Sequence, residues 1–268
     1  MVRRPAVAGY FYPKKADELR SMIRGMVDPR AKKEKARAVV SPHAGLIYSG
    51  PVAGAVYSSV VLPERIVMLG PSHRGQRSVF GMMDKGSWQT PLGEVPLDTG
   101  LAESLLRQSS LVRVEQSAHE EEHSLEVQLP FIQFLSPGFS IVPIGVSPVA
   151  NYAALEELGM SLAAAIRESG QEVLIVASTD MSHYVSQETA QKKDSLAIEQ
   201  ILALDARGLF RVVQEEDISM CGFQPTTAAI LAAKELGAHR ADLIRYMTSG
   251  ETSGDFDQVV GYAGLRIV

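Results

Sequence analysis

The chain has 268 residues, 46% of them apolar and 21% charged, enough to bury one large core and fold without help. Its formal charge is -5, and Lys and Arg are scattered apart from the short run Lys32, Lys33, Lys35 and Arg37, which argues against nucleic acid as a partner. The single cysteine, Cys221, excludes an intrachain disulfide and carries no mark of an oxidising compartment; with no signal-peptide core of ~7–15 apolar residues and no run near the ~18 of a membrane span, the expected location is the cytoplasm and no membrane is expected as a partner.

After an aromatic opening, Tyr10-Phe11-Tyr12-Pro13, the spacing of Leu19, Met22, Ile23 and Met26 predicts a first helix over 14–27 with Pro13 at its start. Residues 36–40 form an apolar run without alternation, as in a strand buried on both faces. A helix over 50–59 follows, then a second such strand over 66–69. The stretch 78–98 is cut by Gly81, Gly86, Pro91, Gly93 and Pro96 and reads as a hairpin-like excursion around Trp88. Helices are predicted over 99–108 and 150–168, a third buried strand over 173–177, and further helices over 188–204 and 225–236. Strands alternating with helices predict an α/β fold, a three-layer sandwich around a mostly parallel sheet. With no repeat, low-complexity run or Ser/Gly linker, residues 1–268 read as one domain.

Each buried-strand run leads into a histidine: His43, His73 and His183. Ligands of open α/β sheets bind beyond the carboxyl ends of the strands, so three such loops can converge on one site. Gly45 and Gly75 let the backbone turn past a bound group, while Pro42 and Pro71 stiffen the approach. Taken singly, each histidine also reads as a loop residue that caps a helix or bonds a carbonyl. His183 stands at the far end of a longer loop, three residues after Asp180, an arrangement suited to proton transfer with a carboxylate at hand.

His119-Glu120-Glu121-Glu122-His123 matches the H-E-x-x-H pattern of zinc proteases. The protease reading is disfavoured, because three consecutive Glu make the segment highly polar and no Asp, Glu or His lies between Glu126 and Glu156 to complete the site. His123 and Glu126, at i and i+3, could instead aim two polar groups at a pocket; the alternative is an amphipathic helix showing its polar face to water. Arg74 and Arg77 beside His73 could meet an anion. Cys221, in a loop before the helix near Pro225, is either a small buried apolar residue or a thiolate ligand. Absence of a phosphate-binding glycine loop and of a nucleophile elbow removes support for ATP and serine hydrolysis.

In order along nearly the whole chain, Arg4-Pro5-Ala6-Val7-Ala8-Gly9-Tyr10-Phe11-Tyr12-Pro13, Ser41-Pro42-His43-Ala44-Gly45, Gly70-Pro71-Ser72-His73, the segment from Glu122 to Phe131, Ser178-Thr179-Asp180-Met181-Ser182-His183-Tyr184 and Met220-Cys221-Gly222 resemble the motif series of the Memo family. That resemblance implies the fold of class III extradiol dioxygenases. It further implies His43 and His73 as metal ligands, Cys221 as the third ligand and His183 as the acid/base. Should Cys221 be only a core residue, Asp180 is the first candidate to replace it as third ligand. The dioxygenases carry a carboxylate where Cys221 stands, so ring cleavage loses support while metal binding does not. One transition-metal ion is the implied cofactor, iron(II) or copper(I), with zinc also suited to a thiolate site. The implied function is a nonheme metal-dependent redox enzyme acting on a small substrate. Two alternatives share the same ligands: a non-catalytic pocket for a peptide or phosphorylated ligand, and a protein that holds copper or iron. Family members in prokaryotes are often encoded beside radical-SAM and AMMECR-type proteins, which makes these the expected functional partners; the family's eukaryotic members mediate receptor-driven cell motility.

Overall fold

The three apolar runs without alternation lie side by side in the middle of one sheet, where burial on both faces requires such sequences. The computed structural model describes residues 1–268. The elements are, in order, β1 (Val2–Arg3), α1 (Ala16–Arg24), β2 (Ala38–Ser41), α2 (Leu46–Ser58), β3 (Arg65–Pro71), β4 (Phe80–Met82), β5 (Ser87–Thr90), β6 (Gly93–Pro96), α3 (Thr99–Gln108), β7 (Val112–Val114) and α4 (Ser117–Glu120). A single 3-10 turn (Glu126–Gln128) leads to α5 (Leu129–Leu135), β8 (Ser140–Val146), α6 (Tyr152–Ser169), β9 (Val173–Ser178), β10 (His183–Val185), α7 (Gln187–Leu202), α8 (Ala206–Glu215), α9 (Phe223–Glu235), β11 (Ala241–Thr248), α10 (Gly250–Ser253) and β12 (Val259–Ile267).

The main sheet runs β10-β12-β2-β9-β3-β8-β4-β7, with β11 added on β12, while β1, β5 and β6 form a small separate sheet. The main sheet is mixed, which corrects the expectation of a mostly parallel one. β2, β9, β3 and β8 are parallel, but β12 and β4 flank them antiparallel, and β10 and β11 run antiparallel to β12. β12 escapes a sequence reading because its Gly261 and Gly264 look like breaks. They are packing requirements: a Cβ on Gly264 would come within 2.4 Å of Val56 Cγ2, and one on Gly261 within 1.9 Å of an Asp194 oxygen. Bare backbone there lets α2 and α7 close onto the strand. Pro143 similarly masks β8. Its carbonyl accepts from the Met83 N–H at 3.4 Å, just past the end of β4, so its missing donor faces the side where the ladder stops.

Alternate residues of the central strands feed two cores, one on each face. Val40, Val67, Leu69, Val142 and Ile175 join a cluster of 40 buried residues that includes α6, α7, α8 and α9. Val39, Ile66, Met68, Ile141 and Val176 join one of 24 with α1, α2 and α5. Helices therefore cover both sides of the sheet. Ser41 pairs with Ser178, so β2 and β9 end level, and β3 ends beside them at Pro71. The loops beyond these three ends carry His43, His73 and Asp180, and the last of them runs into β10, which opens with His183.

Candidate metal centre

Parallel pairing brings His43 and His73 together, and the loop between α4 and the 3-10 turn adds His123. One ligand nitrogen from each of the three lies within 4.8 Å of the others, a grouping that could hold a metal ion. The rings of His73 and His123 stack at 4.7 Å between centroids, and His43 stands edge-on to both at 5.3 and 5.5 Å.

Hydrogen bonds behind the rings decide which nitrogen faces inward. Ser178 Oγ has one proton, which it gives to the Ser124 carbonyl at 2.6 Å, and it also accepts from Gln128 Nε2 at 2.8 Å. Its 2.8 Å contact with His43 Nδ1 must then be a bond donated by the imidazole. That leaves His43 Nε2 with a free lone pair. His73 Nδ1 lies 2.9 Å from Glu122 Oε1, and a carboxylate can only accept, so His73 is fixed in the same tautomer. Glu122 also accepts from the backbone N–H groups of His73 at 2.6 Å and of His123 and Ser124 at 2.9 Å each. Burial alone would raise the Glu122 pKa, but the hydrogen bond and charge of His73 and the Ser124 N–H hold it well below the usual carboxylate range. Burial pushes His43 down to about 3 and His123 to about 4, each helped by a neighbouring imidazole, so both present neutral lone pairs at neutral pH.

Cys221 is half-buried, with Sγ 3.4 Å from His43 Nε2. A tetrahedral ion bound by both would place N and S roughly 3.5 Å apart, given Zn–N near 2.0 Å and Zn–S near 2.3 Å. Gly222 makes that approach feasible, since a Cβ there would fall 2.3 Å from the Ser178 carbonyl oxygen. Burial, and then Asp180, push the thiol above its ordinary value, so a cation is needed to make it a thiolate. Asp180 is buried between the two, accepting from the His43 N–H at 2.8 Å while its own N–H points to Cys221 Sγ at 3.3 Å; burial raises its pKa. His183 lies outside the three-histidine group. Its Nδ1 donates to the Ser219 carbonyl oxygen at 2.8 Å, so that carbonyl, rather than Asp180, orients the ring.

The substrate-side residues divide. His123 joins His43 and His73, with Phe11 packed on its ring at 4.8 Å. Arg74 is exposed beside His73 and makes no hydrogen bond or ion pair. Glu126 is fully buried and anchors the N-terminal segment: it pairs with Arg3, accepts from the Ala6 and Val7 N–H groups at 2.7 and 3.1 Å, and accepts a hydrogen bond from the Tyr12 hydroxyl. The Arg3 guanidinium also donates to the carbonyls of His119 at 2.9 Å and Glu122 at 2.6 Å, so it clamps the very loop that carries Glu122 and His123. Of these, Glu122, Ser178, Ser219 and Arg3 went unseen in the sequence. The one available signal was Glu122, which directly precedes His123 in the family-like segment.

Fold and site define a mixed-sheet α/β protein with three histidines, and a cysteine against one of them, at the carboxyl ends of its parallel strands. A family model described as Memo-like protein matches residues 3–266. A MEMO1 family protein of Pyrobaculum arsenaticum is 44% identical over 98% of this chain and 98% of its own length. Another, from Methanothermobacter thermautotrophicus, is 40% identical over 99% of this chain and 100% of its own. The chain belongs to the Memo family, as its motif series indicates. Among solved structures, an uncharacterized protein of Escherichia coli K12 is similar with a TM-score of 0.57 and 15% identity, covering 87% of this chain and 100% of that one, a likeness of fold alone.

Proposed function

We propose that the chain is a mononuclear metal protein of the redox type, with His43, His73 and His123 as imidazole ligands and Cys221 as a further donor. What carries the reading is the locking of His43 and His73 from behind: with Nδ1 given to Ser178 and Glu122, their free lone pairs are Nε2. A bound iron(II) or copper(I) would supply a redox-active, Lewis-acidic position, and zinc a Lewis-acidic one alone. His183, with Nδ1 held by Ser219, would accept or return a proton at Nε2, and buried Asp180 would fix the His43 backbone and the Cys221 side chain. In this reading the architecture is that of the class III extradiol dioxygenases, in one domain, acting on a small molecule in the cytoplasm; no helix is long and apolar enough to cross a membrane. One observation favours a second reading, a non-catalytic pocket for an anionic or phosphorylated ligand: Arg74 stands exposed and unpaired beside His73.

The test is elemental analysis of protein purified without chelator or affinity-tag metal, then reloaded separately with iron(II), copper(I) and zinc. The expected result is close to one ion per chain, lost in His73→Ala and weakened in Cys221→Ser with folding intact. Failure to bind any of the three ions overturns the proposal.

A further inference from the structure

Three tyrosines meet at a cavity of about 340 Å³, lined also by Asp255, Ser249 and Gln258. Tyr262 is only 2% exposed, yet its hydroxyl makes no hydrogen bond within the chain and lines this cavity. The hydroxyl is not sealed off, so its partner comes from the cavity side, as water or a bound group. Tyr48 and Tyr184, 38% and 73% exposed, likewise have no partner for their hydroxyls. Tyr184 has φ +56°, a left-handed backbone that costs a bulky residue energy and that surrounding structure must impose. It directly follows His183, and Tyr262 belongs to a small apolar cluster on which Ala44, next to His43, packs, so the cavity adjoins the histidine centre without sharing its ligands.

The charge of the lining selects the occupant. No Lys, Arg or His lines the cavity. Its one carboxyl side chain is the exposed Asp255, with Oδ1 accepting from the Asp257 N–H at 2.9 Å and Oδ2 open to the cavity or solvent. The wall formed by residues 249–258 holds Glu251, Asp255 and Asp257 and no basic residue. Carboxylate, phenol oxygens and tyrosine rings all attract positive charge, and together they disfavour an anion. We propose that this cavity binds a small organic cation, an alkylammonium group held between Asp255 and the three tyrosines. The inference needs no ion at the histidines and stands or falls apart from the metal reading.

The probes are choline, its uncharged isostere 3,3-dimethylbutan-1-ol, and the matching anion 3,3-dimethylbutanoate, titrated into the metal-free protein while the tyrosine ring signals are followed by NMR. Choline should shift Tyr48, Tyr184 and Tyr262 saturably. The isostere should bind roughly tenfold more weakly, within the range expected for losing a cation–π and carboxylate contact, and the anion not at all. Asp255→Asn should weaken choline by a similar factor, and Tyr262→Phe, which keeps the ring, by less. Equal binding of choline and its isostere, or no saturable shift with choline at millimolar concentrations, overturns the proposal; the comparison of probes on the unaltered chain decides even if a variant fails to fold.

Discussion

Replacing Glu122 with Gln tests the centre at the group that holds it. The side chain is 3% exposed and its carboxylate accepts four N–H donors: the His73 ring, the His73 backbone, His123 and Ser124. An amide of the same size offers one acceptor oxygen in place of two and turns an NH2 toward donors, leaving at least one buried N–H without a partner at about 1–3 kcal/mol. His73 loses the acceptor that fixes its tautomer, and changes of this kind typically cost metal affinity about 10- to 100-fold, or ~1.4–2.8 kcal/mol. The assay has two arms. Zinc affinity is measured by chelator competition in the wild type and in Glu122→Gln. The His73 tautomer is read from side-chain nitrogen shifts in the metal-free proteins, with Nδ1 protonated in the wild type and mixed in the variant. Affinity within about threefold of wild type, or an unchanged His73 tautomer in a folded variant, would refute the claim that Glu122 orients the ligand.

Arg3→Lys keeps the charge beside Glu126 but cannot span the carbonyls of His119 and Glu122; it should lower the melting temperature by several degrees and speed amide exchange across residues 119–126, while unchanged exchange there would deny the clamp. Arg3→Met, which strands a buried carboxylate, should cost about 3–5 kcal/mol in denaturant unfolding. Acid should destabilise the metal-free protein, because His43, His119 and His123, depressed to about 3, 4 and 4 from an ordinary 6.5, refuse protons that the unfolded chain takes up. Stability is then complete above about pH 6.5 and falls as pH drops toward the folded values, by up to ~1.4 kcal/mol per pH unit for each histidine, with the depressed Glu122 adding a loss below about 4.5; a melting temperature flat between about pH 7 and pH 5 would contradict this. His183→Ala should leave metal content unchanged and lower any turnover by about 10²- to 10⁴-fold, whereas equal metal loss in His183→Ala and His73→Ala would make His183 a ligand.

The elements legible in the sequence were those whose burial is uniform. β2, β3 and β9 are apolar throughout, and α3 falls at the predicted bounds because Asp98 caps it, accepting from the Leu101 N–H at 3.0 Å, and its helical period is unbroken. α2 was misplaced at its start: Gly50-Pro51 looks like a helix opening, yet the helix begins at Leu46 and runs through Pro51. β8 and β12 escape a sequence reading for one reason in two forms. A glycine or proline inside a strand is read from sequence as punctuation, but its meaning in the fold is set by a neighbour distant in the chain, Met83 at Pro143 or Val56 at Gly264. Local rules carry no information about that neighbour.

The candidate site divides along the same line. Histidines at strand ends are visible because the strand is visible, and His43 and His73 follow from β2 and β3. His123 does not, because its placement depends on a loop whose shape is imposed by contacts far away in sequence: Arg3 on its carbonyls, Gly70 under Leu125, and Glu122 turned inward to His73. The run of three Glu illustrates the limit of a polarity argument. Glu120 and Glu121 are exposed and behave as a solvated face, while Glu122, identical in type and adjacent, is buried and accepts four hydrogen bonds. What separates them is the supply of N–H donors inside, from His73, His123 and Ser124, and a buried carboxylate is tolerated only where such donors meet it. A cluster in which burial holds His43 and His123 neutral and Glu122 fixes the exposed His73 therefore needs its orienting acceptors as much as its rings. Those acceptors, Ser178 and Glu122, like the Ser219 carbonyl that holds His183 outside the cluster, are ordinary residues until the fold assigns them a ring.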